Sequence, residues 1–183
     1  WDEPLKITLT AFYSIPKSFS KKKVAAALAG VNAITAPIIA QLNEEKTQQA
    51  IEAVLPGGGT RVESFADATG LVKTVYASQA GYAVQVTPSG FDGTIDMMVG
   101  VDKEGKVLNI SIISHTETAG LGAVAAAQNA AGEAFRGGFV GQSGTLAVTK
   151  DGGSIDAITG ATITSRAVTE GVNAALACVA ELS

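Results

Sequence analysis

Two rhythms of apolar residues divide the chain. Val168, Val172, Ala175, Leu176 and Val179 recur at helical spacing, which predicts a helix starting at or near Thr164 to Ser165 and running to Leu182. Ala50, Ile51, Val54 and Leu55 give a second helix its apolar face. Asn43 can cap it, with Glu44 and Glu45 in the expected first turn to complement its dipole, and Pro56-Gly57-Gly58-Gly59 ends it. From Arg61 onward the period shortens. Segments 71–77, 82–87, 95–101 and 107–114 read as strands separated by turns such as Pro88-Ser89-Gly90-Phe91-Asp92-Gly93 and 102–106. Short strands joined by Gly, Asp and Pro turns make an antiparallel meander. Helices over 123–135 and 164–182 are expected to cover its face, an α+β domain.

Upstream, Lys21-Lys22-Lys23 precedes an uncharged run from Val24 to Ala40. As a helix at ~1.5 Å per residue this run spans roughly 25 Å, slightly short of a ~30 Å hydrocarbon core. A short transmembrane helix, a signal-peptide core and an Ala-rich packing helix all fit it. The expected division is 1–23 as an N-terminal cytoplasmic segment and 24–40 as a membrane anchor. A connector helix with its Gly-rich turn follows over 41–60, and one domain over 61–183. Lysines before the apolar run and glutamates after it place the domain on the extracytoplasmic side of a single-pass anchor in the inner (cytoplasmic) membrane.

Composition narrows the chemistry. In 183 residues, 46% are hydrophobic and 5% aromatic, enough for a packed core. A net charge of −4 without a basic stripe argues against nucleic acid. Cys178 is the only cysteine and His115 the only histidine. A disulfide, a paired-cysteine iron–sulfur motif, a cysteine-based zinc site and a two-histidine metal site are therefore not expected. Any redox chemistry falls to an organic cofactor. Neither a Gly-x-x-x-x-Gly-Lys-Ser/Thr loop nor a Gly-x-Gly-x-x-Gly turn opening a helix is present.

Asp156-Ala157-Ile158-Thr159-Gly160-Ala161-Thr162-Ile163-Thr164-Ser165 packs a carboxylate, a Gly-Ala step and several hydroxyls ahead of the last helix. Such hydroxyls can cap free helix amides, and the same amides attract phosphate. Both readings stand on local chemistry. A second turn, His115-Thr116-Glu117-Thr118-Ala119-Gly120-Leu121-Gly122, follows the last expected strand. Its glycines allow close backbone approach to a ring or a phosphate, and Glu117 and Thr118 can hydrogen-bond a polyol or ring edge.

Asp-x-x-Thr-Gly-Ala-Thr-x-Thr resembles the flavinylation motif of subunits that carry FMN as a phosphoester on threonine. Its relatives are the G subunit of Rnf-type ion-translocating ferredoxin:NAD oxidoreductases and the C subunit of sodium-pumping NADH:quinone reductases. The turn at 115–122 is similar to the second hallmark of these FMN-binding domains, His-x-Glu-Thr-Pro-Gly-Leu-Gly, with Ala119 in place of Pro. Residues 135–142 and the turn at Gly90, Asp92 and Gly93 resemble the family more loosely.

The resemblance implies covalent FMN on Thr164, contacts from Glu117, Thr118, Gly120, Leu121, Gly122, Gly160, Ala161 and Thr162, and no catalytic residue or metal. Asp156, with Gly160 to Thr162, is implied in recognition by a separate flavin transferase. Implied partners are the other subunits of a membrane electron-transport complex, and the chain length is nearer to the G subunit than to the C subunit. Two other classes remain, a noncovalent FMN-binding reductase module and a surface structural module.

Overall fold

The computed structural model describes residues 41–182. The expected segment 1–23 and anchor 24–40 lie outside the described residues. Among the described residues, no helix is long and apolar enough to cross a membrane. Residues 41–54 are helical, α1. Five strands follow: β1 (Thr60–Val62), β2 (Val72–Ala77), β3 (Gly81–Val86), β4 (Asp96–Asp102) and β5 (Val107–Ser114). A short 3-10 helix (Gly122–Ala126), α2 (Ala130–Gly137), a 3-10 turn (Thr149–Asp151) and α3 (Thr162–Leu182) complete the α+β fold.

The sheet is an antiparallel meander in chain order, β1-β2-β3-β4-β5. Alternation along its strands sorts side chains onto two faces. Met97, Val99 and Val101 of β4 join Val84 and Val86 of β3 in the main core, against Val168, Val172, Ala175 and Val179 of α3. Met98 of β4 and Ala83 of β3 turn the other way and pack with Ala50, Ile51, Val54 and Leu55 of α1. The helix expected as a connector thus also buries a full apolar stripe on the sheet's second face. Gly100 permits that contact, since a β-carbon there would overlap the Val54 carbonyl oxygen. Helices on both faces explain why β3 and β4 read as nearly continuous apolar runs.

α1 is already helical at residue 41, so Asn43 lies inside it and does not cap it, and two further local features depart from the sequence reading. The expected helix 123–135 is broken into the 3-10 helix and α2. Asn129 makes the break, because its side chain accepts the Gly132 N–H at 3.0 Å and caps a new start. Arg136 then folds back to donate to the carbonyls of Ala125 and Ala127, at 2.6 and 3.1 Å. β1 is the other addition. Its three residues are largely exposed on the sheet edge and too few to show alternation.

Phe139 is fully buried and meets Phe135 edge to face, with ring centroids 5.4 Å apart. It is a core residue, as is Cys178.

Candidate functional site

β3 and β5 run in the same direction, so the β3–β4 connection and the segment leaving β5 emerge at one end of the sheet. The first connection folds back on itself. Gly90 N–H donates to Gly93 O at 2.7 Å, and Ile95 N–H to Pro88 O at 2.9 Å. The second segment grips it. Thr116 Oγ1 donates to Asp92 O at 2.7 Å, and Asp92 N–H donates to Glu117 Oε1 at 3.0 Å. Together they hold Phe91 at the tip.

α3 arrives at the same end. It starts at Thr162, so the hydroxyls expected to precede the helix lie in its first turn. Gly160 turns the chain into the helix at φ 77°, where a side chain would be strained. Ser165 Oγ accepts Ile158 N–H and donates to Ala161 O, both at 2.9 Å, which closes the turn. Thr162 Oγ1 accepts from Lys150 Nζ at 2.8 Å. Asp151 holds Arg166 by two bonds of 2.7 and 2.6 Å, and this keeps its carboxyl below the usual range.

Thr164 precedes Val168 by one helical step of four residues and so shares the buried face of α3. It is 1% exposed. A buried hydroxyl needs a partner. Thr164 Oγ1 donates to Glu117 Oε2, joining the two sequence motifs in one contact. Glu117 is itself only 7% exposed. Gly122 makes room for the pair, because a β-carbon there would press on Glu117 and stand 2.5 Å from Thr164 Oγ1. The close approach at Gly122 is therefore to side chains of its own chain. Likewise, both Glu117 oxygens are engaged within the protein.

These segments enclose a groove of about 280 Å³. Of the residues singled out from sequence, Glu117, Thr118, Leu121, Gly122, Gly160, Ala161, Thr162 and Thr164 line it. Gly120 and Asp156 do not. They line an adjoining groove of about 440 Å³ with Thr159 and Phe135. Phe91 and Ile163, which the sequence reading did not assign, complete the first groove. Phe91 is 67% exposed, Ile163 50% and Leu121 45%. Apolar side chains so exposed around one concavity suit a flat aromatic ligand.

Ile163 left a signal, since it sits roughly opposite the buried stripe of α3 at ~100° per residue. Phe91 left a weaker one, an aromatic in a polar Gly/Asp turn. The site thus offers an apolar rim, a hydroxyl at its floor, and Lys150 beside Thr162. Those are the parts that a ring, a phosphoester and a phosphate charge require, so the residues fit FMN.

The comparisons agree with an FMN-binding site. The FMN-binding domain family matches residues 90–177. The chain is 37% identical over 158 residues to the G subunit of the proton-translocating ferredoxin:NAD(+) oxidoreductase complex of Clostridium ljungdahlii, covering 81% of this chain and 80% of the relative. It is 35% identical over 181 residues to the G subunit of the Na(+)-translocating ferredoxin:NAD(+) oxidoreductase complex of Acetobacterium woodii, covering 87% and 86%. To the G subunit of the ion-translocating oxidoreductase complex of Stutzerimonas stutzeri it is 32% identical over 167 residues, covering 84% and 73%.

Proposed function

Because this chain belongs to the family of G subunits of ion-translocating oxidoreductase complexes and carries an FMN-binding domain, we propose that it relays electrons through FMN attached to Thr164. The complex would couple ferredoxin and NAD to ion translocation, as the names of the two fuller relatives describe for those proteins. FMN supplies the redox chemistry when bound, since it takes up electrons singly or in pairs. The chain's own residues do the rest. Phe91, Leu121 and Ile163 offer apolar surface to the ring and keep water from it. Thr164 holds the phosphate by an ester, and Lys150 lies beside the first turn of α3 to meet negative charge.

The observation that carries this reading is the meeting of two distant motifs at the Thr164 hydroxyl, on the floor of an apolar-rimmed groove. A covalent tether prevents loss of the cofactor by dilution. That matters for a domain on the extracytoplasmic face, anchored in the inner membrane by residues 24–40, with 1–23 in the cytoplasm. Residues 61–183 form the flavin domain in this reading, and 41–60 link it to the anchor. Other subunits of the complex exchange electrons with it. A flavin transferase installs the cofactor and recognises Gly160, Ala161 and Thr162, with Asp156 on the neighbouring groove.

Co-expression with a flavin transferase tests the proposal. Intact mass should rise by one FMN, and peptide mapping should place it on Thr164. Wild-type protein that carries no covalent flavin, or carries it elsewhere, rules the assignment out.

A further inference from the structure

Attachment at Thr164 poses a chemical problem that the structure answers. A threonine hydroxyl is a weak nucleophile at neutral pH and needs a base. The stretch from Asp156 to Ser165 holds no histidine or cysteine, and its one carboxylate, Asp156, is exposed on the adjoining groove. Ser165 cannot serve either, since its hydroxyl is committed to the Ile158–Ala161 turn. The group that does touch the Thr164 hydroxyl comes from the other motif. We propose that Glu117 is the catalytic base of flavin attachment, taking the Thr164 proton as the phosphoester forms. This rests on Thr164 being the attachment residue.

The geometry meets the first requirement of a base, direct hydrogen-bond contact with the proton it removes. Glu117 Oε2 receives the Thr164 hydroxyl bond, so the lone pair freed on Oγ1 belongs to an atom already oriented. Glu117 cannot swing away freely. Its Oε1 is held by Asp92 N–H at 3.0 Å, and its carboxyl is boxed in by Gly90 and Gly122, where a β-carbon would overlap it. The ion pairs among the described residues, Lys73–Asp96 and Arg166–Asp151, leave Glu117 out. A proton arriving at Oε2 therefore neutralises the carboxylate without breaking a salt bridge.

Free FMN, a phosphate monoester, has no good leaving group, so the donor must be a flavin phosphoanhydride, such as a flavin dinucleotide held by the transferase. Thr164 Oγ1 forms a bond to the flavin-side phosphorus. The bond from that phosphorus to the bridging oxygen breaks, and its electron pair departs with the nucleotide monophosphate. The hydroxyl proton passes to Glu117 Oε2. Atoms and charge balance without an oxidant or reductant. The proton then lies between the carboxyl and the new phosphodiester, where two negative charges would otherwise face each other.

The test uses purified wild type, Glu117→Gln and Glu117→Asp, with purified transferase and a flavin dinucleotide. Initial rates of covalent loading are read by intact mass. Glutamine keeps the shape and an acceptor oxygen but is not a base. Its maximal rate should fall about 100-fold or more, the usual contribution of a positioned base. The acceptor concentration giving half-maximal rate should stay near wild type. Asp, with its carboxylate set back by one methylene, should lie between the two.

A wild-type maximal rate in Glu117→Gln, or a loss confined to half-saturation, overturns the role of Glu117. If the Gln variant does not fold, Glu117→Asp decides. As a folded protein it should load at least about tenfold more slowly, as displacement of a reacting group requires, and a wild-type rate overturns the proposal. Wild type that never loads defeats the attachment reading itself, which is a different outcome from wild type and Glu117→Gln loading equally.

Discussion

Gly122 stands so near Thr164 that a β-carbon at Gly122 would come within 2.5 Å of Thr164 Oγ1, and nearer still to Glu117 Oε2. One hydrogen atom in place of a methyl group is what allows the hydroxyl and the carboxylate to meet. Gly122→Ala should therefore separate them. Displacement on this scale costs a reaction roughly 100-fold, so covalent loading should slow by about that much. The loss falls on attachment rather than on the spectrum of flavin already attached. A time course of in-gel fluorescence on a denaturing gel measures it, and unchanged loading by a folded Gly122→Ala protein would refute the crowding argument.

Thr164→Val keeps the β-branched shape and deletes the hydroxyl. It should carry no covalent flavin even with the transferase present. It should also be less stable, because buried Glu117 Oε2 loses its donor. A buried acceptor left unpaired costs about 1–3 kcal/mol, which urea denaturation of the unflavinylated proteins can read. Thr164→Ser keeps the hydroxyl and should retain attachment. Covalent flavin in Thr164→Val, located on Thr162 or Ser165, is the result that defeats the assignment.

Phe91 belongs to the rim and not to the attachment chemistry. Phe91→Ala should load at a rate near wild type, but the attached ring should be more exposed to water. The checks are a shifted visible absorbance and readier quenching by iodide. An identical spectrum and identical quenching would remove Phe91 from the flavin contacts.

Asp151 and Arg166 give a pH prediction. Arg166 holds the Asp151 carboxyl below its ordinary value, chiefly through their hydrogen bonds. A carboxylate with a depressed folded pKa adds stability above its unfolded pKa and loses it as pH falls through the folded one. The melting-temperature gap between wild type and Asp151→Asn should thus be level above about pH 4, the ordinary carboxylate value. It should narrow as pH drops below that. The effect is small because the pair is exposed. A gap that widens with acid would contradict the pairing.

Topology has its own test. Lys21 to Lys23 precede the uncharged run, and the proposal therefore puts the flavin domain outside the cytoplasm. Protease applied to cells stripped of their outer barriers should degrade the domain. Complete protection would invert the orientation.

Much of the fold is legible in the chain itself. β2 to β5 are apolar stretches, nearly continuous in β3 and β4, bounded by Gly, Asp and Pro, so their positions show within a residue or so. The break at Asn129 is harder to see. The preceding residues 123–127 are largely alanine, which favours helix on propensity, and only the cap geometry reveals the restart. The helix over 41–54 looks like a linker until the facing Ala83 and Met98 are known. At the site, both motifs are visible as motifs. Their contact is not, because Glu117 and Thr164 are 47 residues apart and no periodicity links them. Thr164 being in phase with Val168 foretells that its hydroxyl needs an interior partner, and tertiary packing alone names which one.

That separation also sets an order of events. A peptide of residues 156–165 has the hydroxyl but not the carboxylate, and it lacks the sheet end on which the two converge. The acceptor described above comes into being only after β5 and α3 have packed. If Glu117 acts as proposed, the transferase can charge only molecules that have already folded. Flavin content per chain then becomes a census of correctly built protein, taken before any electron has passed.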